Sequence, residues 1–249
     1  METESSQAVD RIFSVIETIA EESTAIGITD ISKKVGLPKS TVYRIVSSLV
    51  LKNYLIKDDN DHYKLGYKFI AVAGDYVAKL DIRTAAAPYI HNLSMSLNVT
   101  AHVAIRQGES AIYIEKIHPY SHICMYSEIG KSIDLYCSAL GKSLLLGFSN
   151  EEFHTYINSV KTVKYTSNSL DRKQLEKEIG EARKSLLTYD NEEHELNVYC
   201  IATPIIDYSG KVIAAISISS GEPLILSDLK YRNALLSTGL TISKLFGKK

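Results

Sequence analysis

Near the N-terminus, apolar residues recur at helical spacing. Val9, Ile12, Phe13, Val15, Ile16 and Ile19 predict an amphipathic helix over about 7–22. A short second helix opens near Thr29 and turns Ile31 and Val35 inward. Gly36 ends it, since glycine accepts the left-handed conformation common after helix termini. Pro38 suits a first helical position. Behind it, Val42, Ile45, Val46 and Leu49 repeat at i, i+3, i+4 and i+7, while Lys39, Ser40, Thr41, Tyr43, Arg44 and Ser47 occupy the opposite face. Two short apolar runs, Tyr54-Leu55-Ile56 and Tyr63-Lys64-Leu65, flank the polar residues 58–61 and predict a hairpin. Three helices followed by a hairpin make a winged helix-turn-helix.

Downstream the pattern changes. Residues 66–79 carry helical spacing and suit a connecting helix, and a further helix runs from about Ile82 through Leu97. Strand-like runs follow at 99–105 and 111–117 around a turn at Gln107-Gly108-Glu109, then an extended stretch over 121–135 with a glycine turn at Gly130. Helices are predicted at 139–146, 151–159 and 171–185, two strands at 198–206 and 212–219, and a closing helix at 226–246. Strands and helices mixed with hairpin turns give an α+β, two-domain chain whose second sheet is largely antiparallel. The expected division is 1–66 for the winged helix-turn-helix, 67–81 for the linker helix and 82–249 for the second domain.

Composition narrows the class. A chain of 249 residues, 45% apolar and 23% charged, suits a globular protein with two cores. No apolar run approaches the ~18–20 residues of a membrane span, and the first residues lack a basic segment followed by an apolar one. Cys124, Cys137 and Cys200 are odd in number, far apart and form no CxxC pair. That favours a reducing compartment over a disulfide framework or a structural zinc. A cytoplasmic protein is expected, with no resident cofactor.

The formal charge of −1 speaks against nucleic acid until its distribution is considered. Residues 31–57 hold Lys33, Lys34, Lys39, Arg44, Lys52 and Lys57 without one Asp or Glu, between acidic flanks. Within that window the stretch GLPKSTVYR begins a helix whose N-terminal amides, with Lys39, Ser40 and Thr41, suit phosphate oxygens. Tyr43, Arg44 and Ser47 lie about a turn further on, placed for base edges in a major groove. Double-stranded DNA is the expected partner.

ITDISKKVGLPKSTVYRIVSSLVLKNYLIKDD and YKLGYKF resemble the N-terminal domain of the IclR family of transcription regulators. MYSEIGKSIDLYCSALGKSLLL (125–146), YDNEEHELNVYCIATPIID (189–207) and AAISISSG (214–221) resemble, in order, segments of that family's effector-binding domain. The resemblance covers nearly the whole chain. It implies a winged helix-turn-helix, a linker helix and a GAF-like effector-binding domain, assembled as dimers or dimers of dimers. It also implies effector contacts at Ala139, Leu140, Asp190, Cys200, Ser217 and Ser219. One departure stands out: where many members carry Gly-x-Arg-Cys, this chain has Asn197-Val198-Tyr199-Cys200.

The residues themselves point the same way. Ser138-Ala139-Leu140-Gly141-Lys142 falls where strand gives way to helix, so free amides of Ala139 and Leu140 suit a carboxylate. Ser217 and Ser219 alternate on one strand and face one side. Taken singly, those serines also fit backbone-bonded strand residues, and Cys200 a small buried filler. Asp190 would repel an acid unless one carboxyl is protonated or the ligand offers a hydroxyl. A small hydroxy- or keto-acid, such as a sugar-acid breakdown product, is therefore the expected effector. The chain reads as a ligand-responsive regulator, a repressor of a catabolic operon, and not as an enzyme. Two rivals use the same segment. Cys137 or Cys200 with His194 and Asp190 would make a cysteine nucleophile. Asp190, Glu192, Glu193, His194 and Glu195 would make a metal sensor. His102 and His118 read as structural or surface residues.

Overall fold

The computed structural model describes residues 6–77, 81–119 and 127–249. The chain divides into two compact units, Met1–Leu80 and Asp81–Lys249. In the first, helices α1 (Gln7–Ala20), α2 (Ile28–Val35) and α3 (Lys39–Leu51) precede the hairpin β2 (Leu55–Lys57) and β3 (His62–Leu65). A two-residue strand β1 (Ile26–Gly27), not foreseen, adds to β3, giving the antiparallel order β1-β3-β2. Helix α4 (Lys68–Val77) follows. The linker helix expected over 67–81 coincides with α4 up to residue 77, and residues 78–80 lie outside the described residues.

The core of this unit is Val15 and Ile19 from α1, Ile31 from α2, Val42, Val46 and Leu49 from α3, and Leu55 and Tyr63 from the hairpin. Gly36 adopts φ 68°, the left-handed stop expected of it. Pro38 stands one position earlier than expected. Its ψ of 140° makes it the cap, and Lys39 is the first helical residue. The apolar stripe of α1 is wider than the core it serves: Val15 is fully buried while Phe13 is 56% exposed.

The second unit runs α5 (Ile82–Leu97), β4 (Thr100–Gln107), β5 (Ser110–Ile117), β6 (Ser132–Asp134), α6 (Ala139–Leu145), α7 (Asn150–Ser159), α8 (Arg172–Ser185), β7 (Thr188–Asn191), β8 (Tyr199–Ile206), β9 (Val212–Ser220) and α9 (Leu229–Leu245). Among the described residues its sheet has six antiparallel strands in the order β6-β5-β4-β9-β8-β7. The extended stretch expected over 121–135 narrows to β6, and residues 121–126, Cys124 included, lie outside the described residues. The closing helix starts at Leu229, because Pro223–Leu226 winds instead as a 3-10 turn.

Strand alternation sorts this unit into two cores. Ala101, Val103, Ile201, Ile216 and Ile218 face the side covered by α5 and α9. Ala104, Ala202 and Ala215 face the other side with Leu140, Leu144 and Leu145 of α6 and Phe153 and Ile157 of α7. Small residues on that second face let α6 lie close to the sheet. Gly141 extends this: an added Cβ there would come within 2.5 Å of the Leu135 backbone. Any side chain would push the start of α6 off the turn that precedes it.

Candidate functional site

The outer face of α3 is what the helical period predicts. Lys39, Ser40, Tyr43, Arg44 and Ser47 are exposed and Thr41 is half-buried, over the buried Val42, Val46 and Leu49. The Thr41 amide is already used, donating to Pro38 O at 2.9 Å, so the first turn offers the amides of Lys39 and Ser40. Tyr43 is 58% exposed although aromatic, as a side chain poised for a partner would be.

Folding rearranges the charge that the acid-free window promised. Lys34 pairs with Glu22, Lys33 with Asp30 at 3.4 Å, and Lys57 with Asp61. Acids that flank the window in sequence fold back over half of its cations. Lys39, Arg44 and Lys52 make no ion pair among the described residues. Arg44 and Lys52 line an open groove with Thr41, Ser48 and Arg11 of α1. Arg11 was not singled out from sequence, because its proximity to α3 depends on how the two helices pack.

In the second unit, sheet register brings together side chains that are remote in sequence. Asp190 on β7 lies opposite Cys200 on β8, which lies opposite Ser219 on β9. Ser217 on β9 lies opposite His102 on β4. The N-terminus of α6 closes over this floor, with Ser138 Oγ accepting from the Gly141 amide at 3.0 Å. Ala139, Leu140, Asp190, Cys200, Ser217 and Ser219 all line one cavity of about 40 Å³. His102, Tyr113, Ser127, Ser138 and His194 line it too.

His102, expected to be a structural or surface residue, is buried and also lines the cavity. Its signal was its phase with Thr100 and Ala104 along β4, which meant nothing until β4 paired with β9. β7 was missed for a related reason. Its sequence Thr-Tyr-Asp-Asn sets two strand formers against two residues that strands disfavour, and its place is set by pairing with β8.

Burial dominates the electrostatics of the cavity. Asp190 is buried, and burial pushes its carboxyl up to about 6, against the opposing pull of Lys142 and of hydrogen bonds such as that from the Glu193 amide. Burial drives His102 down to about 3, so its imidazole is neutral at neutral pH. The Cys137 and Cys200 thiols are pushed up by burial. That is the opposite of an activated nucleophile, and it removes the cysteine-enzyme reading.

Lys142 is wholly buried, its Nζ 2.7 Å from a Glu193 carboxylate oxygen and 2.9 Å from one of Glu178. Burial opposes its charge, but the two carboxylates overcome this and raise its pKa. The acidic run at 190–195 is thus divided. Asp190 faces the cavity, Glu193 holds Lys142, and Glu192 accepts from the Asn197 amide at 2.8 Å. The His194 ring packs 4.6 Å from that of Tyr165. Among the described residues no group of three or more His, Cys, Asp or Glu is arranged to hold a metal ion. Glu195 lines the cavity beside Asp190 and His194.

The departure at 197–200 also has a physical account. Asn197 adopts φ 60°, a left-handed conformation that asparagine tolerates better than most side chains. The loop over the cavity thus keeps a turn that glycine would otherwise supply.

Comparison with known proteins covers both units. Residues 8–59 match the IclR helix-turn-helix domain, and residues 74–244 match the family described as "Bacterial transcriptional regulator IclR C-terminal". The chain is 30% identical over 245 residues to the HTH-type transcriptional regulator XynR of Escherichia coli K12, covering 97% of each chain. It is 30% identical over 224 residues to the HTH-type transcriptional repressor AllR of the same strain, covering 89% of this chain and 83% of that one. The crystal structure of the Agobacterium tumefaciens repressor BlcR shares the fold, with a TM-score of 0.84 and 21% identity, over 99% of this chain and all of that one. The relatives are named as regulators rather than enzymes, and among the described residues no helix is long and apolar enough to cross a membrane.

Proposed function

The chain belongs to the IclR family of bacterial transcriptional regulators, and from that premise we propose that it represses a catabolic operon and releases its operator when a small organic acid binds the second unit. The observation that carries the acid is the cavity. The α6 amides of Ala139 and Leu140, the row Asp190, Cys200 and Ser219, and the pair Ser217 and His102 line one partly open cavity. Unpaired amides at a helix start attract a carboxylate. The space of about 40 Å³ exceeds the ~10–15 Å³ that one water needs. It suits an acid of a few non-hydrogen atoms and excludes an aromatic ring without rearrangement.

On the DNA side, Lys39, Ser40 and Thr41 hold phosphates while Tyr43, Arg44 and Ser47 reach base edges. A dimer presents two copies of α3 to successive major grooves of a roughly palindromic operator. The effector acts by its differential affinity for the DNA-competent and DNA-incompetent arrangements, which is all that such coupling requires.

The test uses full-length protein and an operator selected by the protein itself from random sequence. Pyruvate and lactate should raise the melting temperature and weaken operator binding, while 4-hydroxybenzoate should do neither. If only uncharged or aromatic compounds act, the small-acid reading fails.

A further inference from the structure

His102 is a buried, neutral imidazole clasped between two serine hydroxyls that also line the cavity. Its Nε2 lies 2.9 Å from Ser127 Oγ and its Nδ1 lies 3.4 Å from Ser217 Oγ. A neutral imidazole has one nitrogen that donates and one that accepts. The two serines are therefore forced into opposite roles. With the proton on Nε2, Ser127 accepts from the ring and Ser217 donates to Nδ1, leaving Ser217 only lone pairs for the cavity. With the proton on Nδ1, Ser217 accepts from the ring and its own hydrogen is free for a ligand.

The neighbouring groups lack this freedom. Ser219 Oγ donates to Cys200 Sγ at 3.0 Å, and Ser138 Oγ donates to Asp134 O while accepting from Gly141 N. Their hydrogens are spent within the protein. The alternation at Ser217 is thus the adjustable element of the floor, and it sits directly opposite His102 in the β4–β9 register.

We propose that His102 is the specificity-determining residue of this cavity, turning Ser217 from acceptor to donor by tautomerisation so that one site takes both a small hydroxy-acid and the matching keto-acid. The proposal rests on the cavity being the effector site. A hydroxy-acid presents an O–H to Ser217 lone pairs, which selects the Nε2–H tautomer. A keto-acid presents a carbonyl oxygen to the Ser217 hydrogen, which selects the Nδ1–H tautomer. No proton leaves the site in either case. The ring relays the choice between Ser217 and Ser127.

The relay makes a residue across the ring control selectivity. In Ser127→Ala the Nε2 position loses its acceptor, and a buried N–H without a partner is more costly than a bare lone pair. The ring is then held as Nδ1–H, and Ser217 is held as a donor. The ratio of pyruvate to lactate affinity should rise on the order of tenfold.

The experiment uses full-length protein labelled with 15N-histidine, with His102→Phe to identify the resonances among the seven histidines. In wild type, pyruvate and lactate should leave the two ring nitrogens with exchanged protonated and bare shifts. In Ser127→Ala the Nδ1–H pattern should persist with either acid, and the affinity ratio should move toward pyruvate. If both acids bind wild type with one unchanged pattern, the tautomer proposal is overturned while the effector site stands. An unaltered affinity ratio in a folded Ser127→Ala overturns it equally. If neither acid binds wild type, the reading of the cavity falls and the proposal with it.

Discussion

The two candidate sites use polar side chains under opposite conditions. On α3 the candidate face is exposed, and beneath it Val42, Val46 and Leu49, with the partly buried Ile45 and Val50, hold the helix to its core. In the second unit the functional groups are themselves interior: His102, Asp190, Ser217 and Ser219 are all buried, and Lys142 behind them is wholly so. An exposed polar group can be removed with little effect on folding, whereas a buried one has already given up its water and depends on its partners. Function and stability are thus separable on α3 and entangled around the cavity. Each prediction below probes that contrast.

The largest effect belongs to Lys142. Replacing it with Met keeps most of the volume but leaves Glu193 and Glu178 facing each other without a cation. Breaking a buried ion pair from one side typically costs about 3–5 kcal/mol, and urea unfolding of the second unit should show a loss of that size. The Glu193 loop should loosen too, because Glu193 N–H holds Asp190 at 2.8 Å. A loss below about 1 kcal/mol would mean that the interior of this unit behaves like a surface.

On α3 the same kind of change should act on binding alone. Arg44→Ala should weaken specific operator binding by about 1–3 kcal/mol if the guanidinium reads a base. Its unfolding curve should stay within about 0.5 kcal/mol of wild type. Filter binding to operator and scrambled duplexes separates the two roles. An equal loss on both would place Arg44 on phosphate rather than on a base.

The contrast also explains what was legible beforehand. Everything α3 needs is local, and the 3.6-residue period separates its two faces without knowledge of any other element. The cavity is built by pairing, so Ser217 and Ser219 were legible as neighbours on one strand face, while the Asp190, Cys200 and Ser219 row required the strand order. Lys142 looked like an ordinary helix residue, because its partners lie 36 and 51 residues away in sequence. The charge window failed in the same way. It was free of acids along the chain, yet Glu22, Asp30 and Asp61 reach Lys34, Lys33 and Lys57 in space. Periodicity reports a residue's face. Its partners are a property of the fold.

Asp190 tests the entangled side at intermediate size. Its folded carboxyl titrates near 6, above the ordinary carboxylate value of about 3.9. The folded state therefore holds this proton more tightly, and the contribution of Asp190 to stability falls as pH rises from about 4 through 6. If an anionic effector binds only the protonated form, its affinity is flat below pH 6. Above that it falls about tenfold per pH unit, or about 1.4 kcal/mol each. Asp190→Asn should abolish the binding slope and reduce the stability slope to the part that comes from Glu193, whose carboxyl burial pushes up to about 7, while keeping the oxygen that accepts from the Glu193 amide. Calorimetric titration of pyruvate between pH 5.5 and 8 reads this slope; pyruvate has no hydroxyl to donate, so a flat profile in wild type would mean that the protonation of Asp190 does not govern binding.

The smallest effect is expected at Lys39, where it is a slope rather than an energy that decides. Lys39 is exposed, unpaired among the described residues and at the first turn of α3. A lysine that neutralises one phosphate releases its counterion, so its removal should lower the slope of log affinity against log salt by about 0.9. Lys39→Ala should weaken operator and random DNA alike, since a phosphate carries no sequence, and it should leave unfolding untouched. Lys34, tied to Glu22 in the free protein, supplies the control. Exposed pairs are worth only about 0–1 kcal/mol, so DNA can compete for Lys34, but its release uncovers a carboxylate. Lys34→Ala should therefore change the salt slope by less than Lys39→Ala does. Equal slopes for the two variants would show that ion pairing in the free protein does not determine which lysines meet phosphate, and that the linear charge window was the better guide after all.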